Sequence, residues 1–377
     1  MAVMTGLSGN EIYCMRLKGL SPGDIVIGNS VYSIGVVGNV GSGLKTLMGG
    51  EVDQITSLIR DGREQSYTRM VNEAERRGGV GITGVSNELV QQTGNIEFLS
   101  IGSCVHQDGA KAEKLGFSTS ADGQELYCQM DAGFRPVKFV FGNVAYSIGV
   151  GGGVMGSLRG MARGEVKEFS EVFNSTRHLA LTRIAQEAAN LGANAVVGIR
   201  TNIIPFHGMQ EMLMLGTASW HPSLPPEASR FPITSDLTNE EMWNLINIGY
   251  MPLRLLLGVS IYSVGVVGGI SASLKGLVRG EISELTSLIY EARENAIYRL
   301  SSEAEAIGAD DVVGIKTYVY HLGNNMIEFM AVGTAVKKLE GLTTLSPQLP
   351  PQAVMRDKIT LVNIADGVMA RNLNAGK

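Results

Sequence analysis

The clearest hydrophobic pattern in the sequence is a stripe of apolar residues three and four positions apart, which occurs three times. In its last occurrence the stripe consists of Leu285, Leu288, Ile289, Ala292, Ala296 and Leu300. Residues at this spacing share one face of an α-helix, so each stripe predicts one long amphipathic helix. Glycines follow the three stripes and predict where these helices end, at Gly78, Gly192 and Gly308.

Shorter runs of β-branched and aromatic residues surround each stripe and predict strands. In the first occurrence, DIVIG and SVYSIGVVG precede the helix, and GVGITGVS and NIEFLSIGSCV follow it. A short leading helix opens each unit, and in the third unit Thr238 followed by Glu241 forms a capping-box pattern. The order ββαββ after a leading helix predicts an α+β fold.

The three units are diverged copies of one repeat. VYSIGVVGNVGSGLKTLMGGEV from Val31 returns as AYSIGVGGGVMGSLRGMARGEV from Ala145 and as IYSVGVVGGISASLKGLVRGEI from Ile261. Single residues recur at the same offsets, namely Tyr32, Tyr146 and Tyr262; Arg63, Arg177 and Arg293; Glu73, Glu187 and Glu303; Gly84, Gly198 and Gly314; and Gly28, Gly142 and Gly258. Because all three copies keep these residues, we predict that they serve the fold or its assembly.

Each copy has about 100 residues, enough for a domain with its own core. We predict repeat 1 at 8–105, a linker at 106–119, repeat 2 at 120–219, a proline-rich linker at 220–236, repeat 3 at 237–338 and a C-terminal tail at 339–377. The proline-rich linker should form an extended spacer. The tail repeats part of that linker and resembles the start of a further repeat.

Composition narrows the function classes. The chain of 377 residues contains 31 Lys and Arg against 36 Asp and Glu, a net charge of −5, and is 44% hydrophobic. This composition excludes general disorder, and the absence of a basic surface argues against nucleic acid as a partner. No apolar run reaches the ~18–20 residues of a membrane span, so we expect no membrane insertion. The first residues lack a secretory pattern and cysteine is scarce, which favours a cytoplasmic protein.

Three sets of recurring charges need an explanation. The arginines on the long helices stand ten residues before the recurring glutamates, and a second set stands four residues before them, namely Arg69, Arg183 and Arg299. One interpretation is a solvated pair within each helix, stabilising by about 0.3–0.5 kcal/mol. The other is an ion pair between subunits that fixes the register of a ring. A third set, Glu97, Glu211 and Glu328, is typical of edge charges that discourage aggregation.

Metal and phosphate sites have weak support in the sequence. Cys-x-x-Cys pairs are absent, and the five histidines do not recur between copies. Only Cys14 and Cys128 occupy corresponding positions, which favours buried thiols over metal ligands. The residues that would bind a metal therefore stay unknown. A ring could still bring one cysteine or carboxylate per chain together on its axis. The segment from Gly38 to Thr46 resembles a phosphate loop, but Leu44 separates the lysine from the second glycine.

Catalytic residues are not indicated. The serines Ser33, Ser147 and Ser263 recur without a histidine or lysine that could act as their base. What the copies share is what a fold needs, so we predict no catalytic residues, no cofactor-binding residues and no enzyme.

The third copy resembles the YbjQ-like domain family, which is named for heavy-metal binding. The resemblance rests on YSVGV after Ile261, RENA from Arg293, and AIGADDVVGI from Ala306. The second copy follows with LGANAVVGI from Leu191, and the first departs with RGGVGI from Arg77. The resemblance implies a small α+β subunit that assembles into closed rings, with pentamers as the expected form.

The sequence therefore predicts a non-enzymatic, self-assembling scaffold or binding protein, a homo-oligomer that forms a pentameric ring or stacked rings. The alternative is a heavy-metal-binding or metal-handling protein, in which a divalent or heavy metal would be bound. A third possibility is an enzyme acting at subunit interfaces around the glycine-rich bends.

Overall fold

A computed structural model describes residues 2–33, 50–92, 94–107, 109, 113–147, 164–206, 209–263, 283–323 and 326–354. The glycine-rich bends, including the phosphate-loop-like segment from Gly38 to Thr46, lie outside the described residues, as does the tail from residue 355. Within these ranges the chain folds as three similar α+β units.

The first unit consists of α1 (Gly9–Leu17), β1 (Leu20–Ser33), β2 (Gly50–Glu51), α2 (Asp53–Arg76), β3 (Gly81–Gln92), β4 (Asn95–Gln107) and β5 (Phe117–Ser118). The second consists of α3 (Gly123–Asp131), β6 (Arg135–Ser147), β7 (Gly164–Glu165), α4 (Lys167–Asn190), β8 (Ala195–Phe206), β9 (Met209–Trp220) and β10 (Ile233–Thr234). The third consists of α5 (Asn239–Asn247), β11 (Tyr250–Ser263), α6 (Ser283–Ala306), β12 (Asp311–Gly323) and β13 (Met326–Lys338), followed by α7 (Pro351–Val354).

Three sheets carry the long helices, and the predicted α+β class is confirmed. Their strand orders are β1-β4-β3-β5, β10-β8-β9-β6-β2 and β12-β13-β11-β7. The long strands pair antiparallel. The two short strands predicted before each long helix are one continuous strand in the structure, 14 residues long in the case of β1. The short strands β2 and β7 belong to the sheet of the following repeat.

The recurring glycines Gly28, Gly142 and Gly258 lie inside these continuous strands. A Cβ atom at Gly258 would stand 2.0 Å from the carbonyl oxygen of Ala296 on α6, and the other two would meet the helices α2 and α4 as closely. Because the helix backbone crosses the strand at this point, only glycine leaves enough room. The glycine therefore marks a close approach and does not end the strand.

The glycines Gly84, Gly198 and Gly314 serve a different purpose. Each adopts a positive φ between 63° and 65°. Each also lies at a register shift in the pairing of β3 with β4, of β8 with β9, or of β12 with β13. A residue with a side chain is strained at such a φ, so the bulge accounts for the recurrence of glycine here.

The leading helices begin as predicted. The side chain of Thr238 accepts a hydrogen bond from the backbone of Glu241, and Glu241 bonds back to Thr238, which confirms the capping box. Ser8 and Asp122 cap α1 and α3 in the same way. The three leading helices pack in a row, α1 on α3 and α3 on α5.

The segments between the repeats also join the sheets. Both β5 and β10 lie in the predicted linkers and pair in parallel with β3 and β8. Pro225 is extended and is followed by a 3-10 turn at Pro226–Ser229. The described part of the tail turns back onto the leading helices, where α7 contacts α1 and α3 and the Leu345 amide donates to the Asp131 carbonyl. Among the described helices, none has the length and apolar character that crossing a membrane requires.

Candidate assembly interface

Two of the three long helices are covered on two sides. Helix α2 packs on its own strands β1 and β4 and also on β6 of the next repeat, and α4 packs on β6 and β9 and also on β11. The hydrophobic clusters accordingly cross the repeat boundaries, as where Tyr67 and Met70 of α2 pack with Phe139 and Phe141 of β6. Successive repeats therefore form one row in which helix and sheet alternate.

The outer face of each following sheet is apolar and buried by this contact. Phe139 and Phe141 of β6 are buried, and the equivalent residues Leu255 and Leu257 of β11 are buried as well. Burial of side chains this large stabilises by about 1.5–3 kcal/mol each. The contact between repeats is thus part of the hydrophobic core.

Arg63 of α2 crosses the first boundary to Glu211 of β9. Its Nε and Nη2 lie 3.1 and 2.6 Å from the two carboxylate oxygens, and its Nη1 donates to the side chain of Asn87 at 2.6 Å. Both charged side chains are fully buried. A buried ion pair is stable only when its hydrogen bonds are satisfied. The bidentate contact with Glu211 and the bond to Asn87 satisfy those of the Arg63 guanidinium.

Arg177 of α4 forms a related ion pair at the second boundary through Nη2 alone, and its buried Nε and Nη1 have no hydrogen-bond partner among the described residues. Its Nη2 lies 2.8 and 3.0 Å from the two oxygens of Glu328 on β13, and both side chains are again fully buried. The guanidinium lies over the rings of Tyr146 and Phe173, with 4.6 and 5.3 Å to the ring centroids. Two of the three recurring arginines therefore bind a glutamate of the next repeat.

Backbone pairing follows the same pattern at both boundaries. The short strand β2 pairs antiparallel with the end of β6, and β7 pairs with the end of β11 at equivalent positions. The Val52 amide then donates to the Ala145 carbonyl, and the Val166 amide to the Ile261 carbonyl, both at 2.8 Å. The two boundaries thus share this strand pairing and this backbone hydrogen bond.

Two arginines of the second set also cross the boundaries, whereas Arg69 donates to the Asn29 carbonyl of its own repeat. Arg183 holds both carboxylate oxygens of Glu51 at 2.6 and 3.0 Å, and Arg299 holds Glu165 at 2.8 Å. Each glutamate belongs to the preceding repeat. The sequence spacing suggested a partner four residues further along the same helix, whereas the structure gives Arg183 and Arg299 a partner in another repeat.

The glutamates Glu73 and Glu187 anchor the helix to its own sheet. Glu73 accepts from the Ile27 amide at 2.7 Å, and Glu187 accepts from the Phe141 amide at 3.4 Å. Burial opposes ionisation of Glu73, but the Ile27 amide and the Arg77 guanidinium outweigh it and lower the pKa of that carboxyl. Burial raises the pKa of Glu187.

Glu303, the third member of that set, faces the preceding repeat. It lies 3.3 Å from Nε2 of His178 on α4. The hydrogen bond to Glu303 raises the pKa of His178, and burial opposes this effect. This contact adds a titratable group to the second boundary.

The recurring tyrosines lie at the ends of the first long strands. Tyr146 and Tyr262 are buried, and both belong to strands that receive a short strand from the preceding repeat. Burial raises the pKa of Tyr262 to about 12. Tyr32 is half-buried and packs edge-on against Phe98 at 5.8 Å.

Among the described residues, two faces of the row of repeats are uncovered. At one end, the outer face of the first sheet exposes Ile25, Ile27 and Val31, which are 38%, 50% and 56% exposed. At the other end, Arg293 of α6 is exposed, although the equivalent Arg63 and Arg177 are fully buried. Among the described residues, the third recurring arginine therefore does not bind a glutamate of another repeat.

Sequence reasoning missed one functional feature, namely which glutamates bind the recurring arginines. Glu211 and Glu328 were predicted to be exposed edge charges, but both are fully buried at the boundaries. The available signal was that one arginine and one glutamate recur at fixed positions among apolar residues in every copy.

The described residues do not fit a heavy-metal site. Cys14, Cys104 and Cys128 are free and buried, and burial raises the pKa of Cys14 and Cys104 to about 11 and that of Cys128 further. Such thiols stay protonated at neutral pH, whereas a soft metal needs thiolates. Within the described ranges, no three Cys, His, Asp or Glu residues converge into a ligand group.

A polar cleft lies where the second repeat meets the third. It is lined by Glu125, Arg200, Asp236 and Lys316 among others. These charges form two pairs, Arg200 with Glu125 at 3.1 Å and Lys316 with Asp236 at 3.2 Å. Each charged side chain that lines this cleft therefore has an ion-pair partner.

Comparison with known protein families matches this architecture. Residues 19–106, 134–221 and 250–338 each match the YbjQ-like family, which is described as "Putative heavy-metal-binding". The chain belongs to the YbjQ-like family. This YbjQ-like protein is 31% identical over 248 residues to an encapsulin nanocompartment protein of Mycobacterium tuberculosis, covering 63% of the present chain and 91% of that relative.

Shorter relatives match a single repeat of the YbjQ-like protein. A UPF0145 protein of Enterococcus faecalis is 40% identical over 93 residues, which are 25% of this chain and 89% of the relative. A UPF0145 protein of Thermoplasma acidophilum is 35% identical over 99 residues, which are 24% of this chain and 83% of the relative.

Proposed function

We propose that this chain is a non-enzymatic scaffold that assembles with copies of itself into a closed ring. The observation that carries the proposal is the contact between successive repeats, made twice in the chain with the same apolar faces, strand pairing and buried ion pair. The first sheet and helix α6 each present one half of that contact without the other half among the described residues.

The relative in Mycobacterium tuberculosis supports an assembling role, because it is named an encapsulin nanocompartment protein. The residues shared by all three repeats also support it. Arg63, Arg177 and the glutamates that bind them act in packing, and the described cleft residues are paired with one another. An enzyme would instead need an acid, base or nucleophile held ready for substrate.

The fivefold closure that the family resemblance implies allows two arrangements. In the first, the repeats of five chains follow one another around a single ring. In the second, three rings are stacked, and each ring takes one repeat from every chain. We favour the single ring, because the contact between repeats is head to tail, and such a contact generates a ring when the rotation between copies closes and an open filament when it does not.

Native mass spectrometry of tag-free protein, with elemental analysis of the same sample, tests the proposal. We expect one species at five times the chain mass of 40.2 kDa, without a metal at a fixed ratio. A monomer at micromolar concentration would contradict the scaffold. A metal retained at a fixed ratio per chain would support the heavy-metal alternative instead.

A further inference from the structure

We infer that the uncovered outer face of the first sheet binds helix α6 of a second copy of this chain, and that Arg293 of one copy pairs with Glu97 of the next. This inference rests on the proposed self-assembly and assigns its interface. We assign a second copy as the partner because, at two boundaries within the chain, the long helix of one repeat covers the equivalent sheet face of the next.

The uncovered sheet face has the composition of a covered one. Ile25, Ile27 and Val31 occupy the positions of Leu255, Leu257 and Ile261 on β11, which are at most 1% exposed under α4. In the first sheet these side chains are between 38% and 56% exposed. A contiguous apolar face of this kind marks an interaction site.

Strand β4 contributes the carboxylate to the same face. Glu97 lies opposite Val31 in the β1–β4 pairing, as Glu211 lies opposite Ala145 in the β6–β9 pairing. Glu211 is fully buried beneath Arg63, whereas Glu97 is only half-buried and accepts a 3.4 Å hydrogen bond from Asn29. An arginine from a covering helix would complete the arrangement seen at Glu211.

Helix α6 presents the matching half of the contact. Its buried residues, Ala292, Ala296, Leu300 and Ala304, form the single stripe that packs on its own sheet. The helices α2 and α4 bury a second stripe against the next repeat, which in α4 consists of Ser170, Phe173, Arg177 and Leu181. The equivalent residues of α6 are exposed or half-buried, namely Thr286, Ile289, Arg293 and Ile297.

Arg293 is also positioned as its buried counterpart Arg63 is. Its guanidinium lies 5.9 Å from the ring centroid of Phe329 on its own sheet, and that of Arg63 lies 5.8 Å from Phe98, the equivalent ring. The charge of Arg293 is thus placed where a neighbouring sheet would bring a glutamate. Arg293 belongs to the third repeat and Glu97 to the first. The contact between copies therefore joins two different surfaces, which makes it heterologous and head to tail.

Charge reversal at the two ends provides the test. We expect Arg293→Glu and Glu97→Arg each to weaken the association between copies on the order of 30-fold or more, as when one partner of a buried pair is lost. The double variant Arg293→Glu with Glu97→Arg should restore assembly, because the two new charges are complementary. Ile27→Glu should also leave single chains, because it places a charge in the apolar face.

Matched controls come from exposed residues away from both faces. Lys114→Glu and Glu113→Arg repeat the charge changes in the first linker, and Phe231→Glu repeats the apolar-to-acidic change at a side chain 69% exposed. All three controls should assemble as the unmodified chain does. Circular dichroism and denaturant unfolding of each single-chain variant verify that its fold is intact.

The outcomes separate this inference from the proposed function. If the unmodified chain assembles and Arg293→Glu and Ile27→Glu assemble equally well, the interface assigned above is wrong, while self-assembly through another surface, including stacked rings, remains. If the unmodified chain is itself monomeric, both fail. Loss of assembly in each single variant with recovery in the charge-swapped double variant is the result that supports the inference.

Discussion

Arg63 and Glu211 lie 148 residues apart in the sequence and form a fully buried bidentate ion pair between two repeats. Arg177 and Glu328 form its equivalent one repeat further along. A charge pair of this kind favours one register between helix and sheet, because any shift leaves two buried charges without partners. The pairs thus explain why arginine and glutamate persist among apolar residues of the copies.

Removal of one member of the first pair should destabilise the chain strongly. We expect Arg63→Met and Glu211→Gln each to lower the free energy of unfolding by about 3–5 kcal/mol, because the remaining group stays buried without its partner. Urea unfolding at one fixed chain concentration measures this, since assembly makes stability depend on concentration.

The double variant Arg63→Met with Glu211→Met should lose less than the sum of the single losses, because no unpaired charge remains. Arg77→Met is the control, since the Arg77–Glu73 pair is partly exposed and should cost about 1 kcal/mol or less. Equal losses at Arg63 and Arg77 would contradict the role assigned to the buried pair.

Substitution of a strand glycine should force helix and sheet apart. We expect Gly258→Ala to cost at least about 1–3 kcal/mol, because its Cβ atom would meet the Ala296 carbonyl at 2.0 Å and backbone must move. Gly9→Ala on α1 meets nothing within 4 Å and should change stability by about 0.5 kcal/mol or less. Thermal unfolding of both variants measures these changes. Equal stability of the two variants would show that strand β11 and helix α6 do not approach each other closely at Gly258.

The second boundary should respond to pH through His178. Because Glu303 raises the pKa of His178 above its ordinary value of 6.5, the folded state binds the proton more tightly than the unfolded state. This stabilisation is fully present below that ordinary value and disappears as the pH rises through the folded-state pKa. We therefore expect the difference in unfolding free energy between the unmodified chain and His178→Gln to be largest at acidic pH.

Denaturant unfolding at a series of pH values measures that difference, with exposed His321→Gln as the control. Arg254, 3.9 Å from Glu303, faces the same carboxylate. A difference that stays constant, or grows with increasing pH, is incompatible with a protonated His178 at this boundary.

The three thiols should be unreactive in the folded protein. With the pKa of Cys14 and Cys104 raised to about 11 by burial, little thiolate exists at neutral pH and reagents cannot reach the sulfur. We expect a colorimetric thiol reagent to titrate less than one cysteine per native chain and all three after denaturation. Rapid stoichiometric reaction of the native chain would contradict this and reopen the cysteines as metal ligands.

Much of the architecture could be predicted from local sequence. The helix stripes, the capping residues Thr238 and Glu241, and the terminal glycines act within a few residues, so the α+β class of the repeat followed from them. The division of the first strand was wrong because Gly28 was taken as a local break. Its role is contact with a helix some forty residues later, which local patterns do not encode.

The interface was harder to predict because its partners come from different repeats. Repetition showed that Arg63, Arg177 and Arg293 matter, but spacing along one helix suggested nearby partners. Only the three-dimensional arrangement shows that Arg63 and Arg177 bind a glutamate of the following repeat, whereas Arg293 is exposed.

Mixing two blocked variants tests the head-to-tail account most directly. Arg293→Glu lacks a functional helix face and Ile27→Glu lacks a functional sheet face, yet each keeps one face that the other can bind. Native mass spectrometry should show each variant alone at 40.2 kDa and the mixture as a one-to-one dimer that grows no further. A mixture that stays monomeric, or a variant that assembles alone, would contradict the head-to-tail assembly.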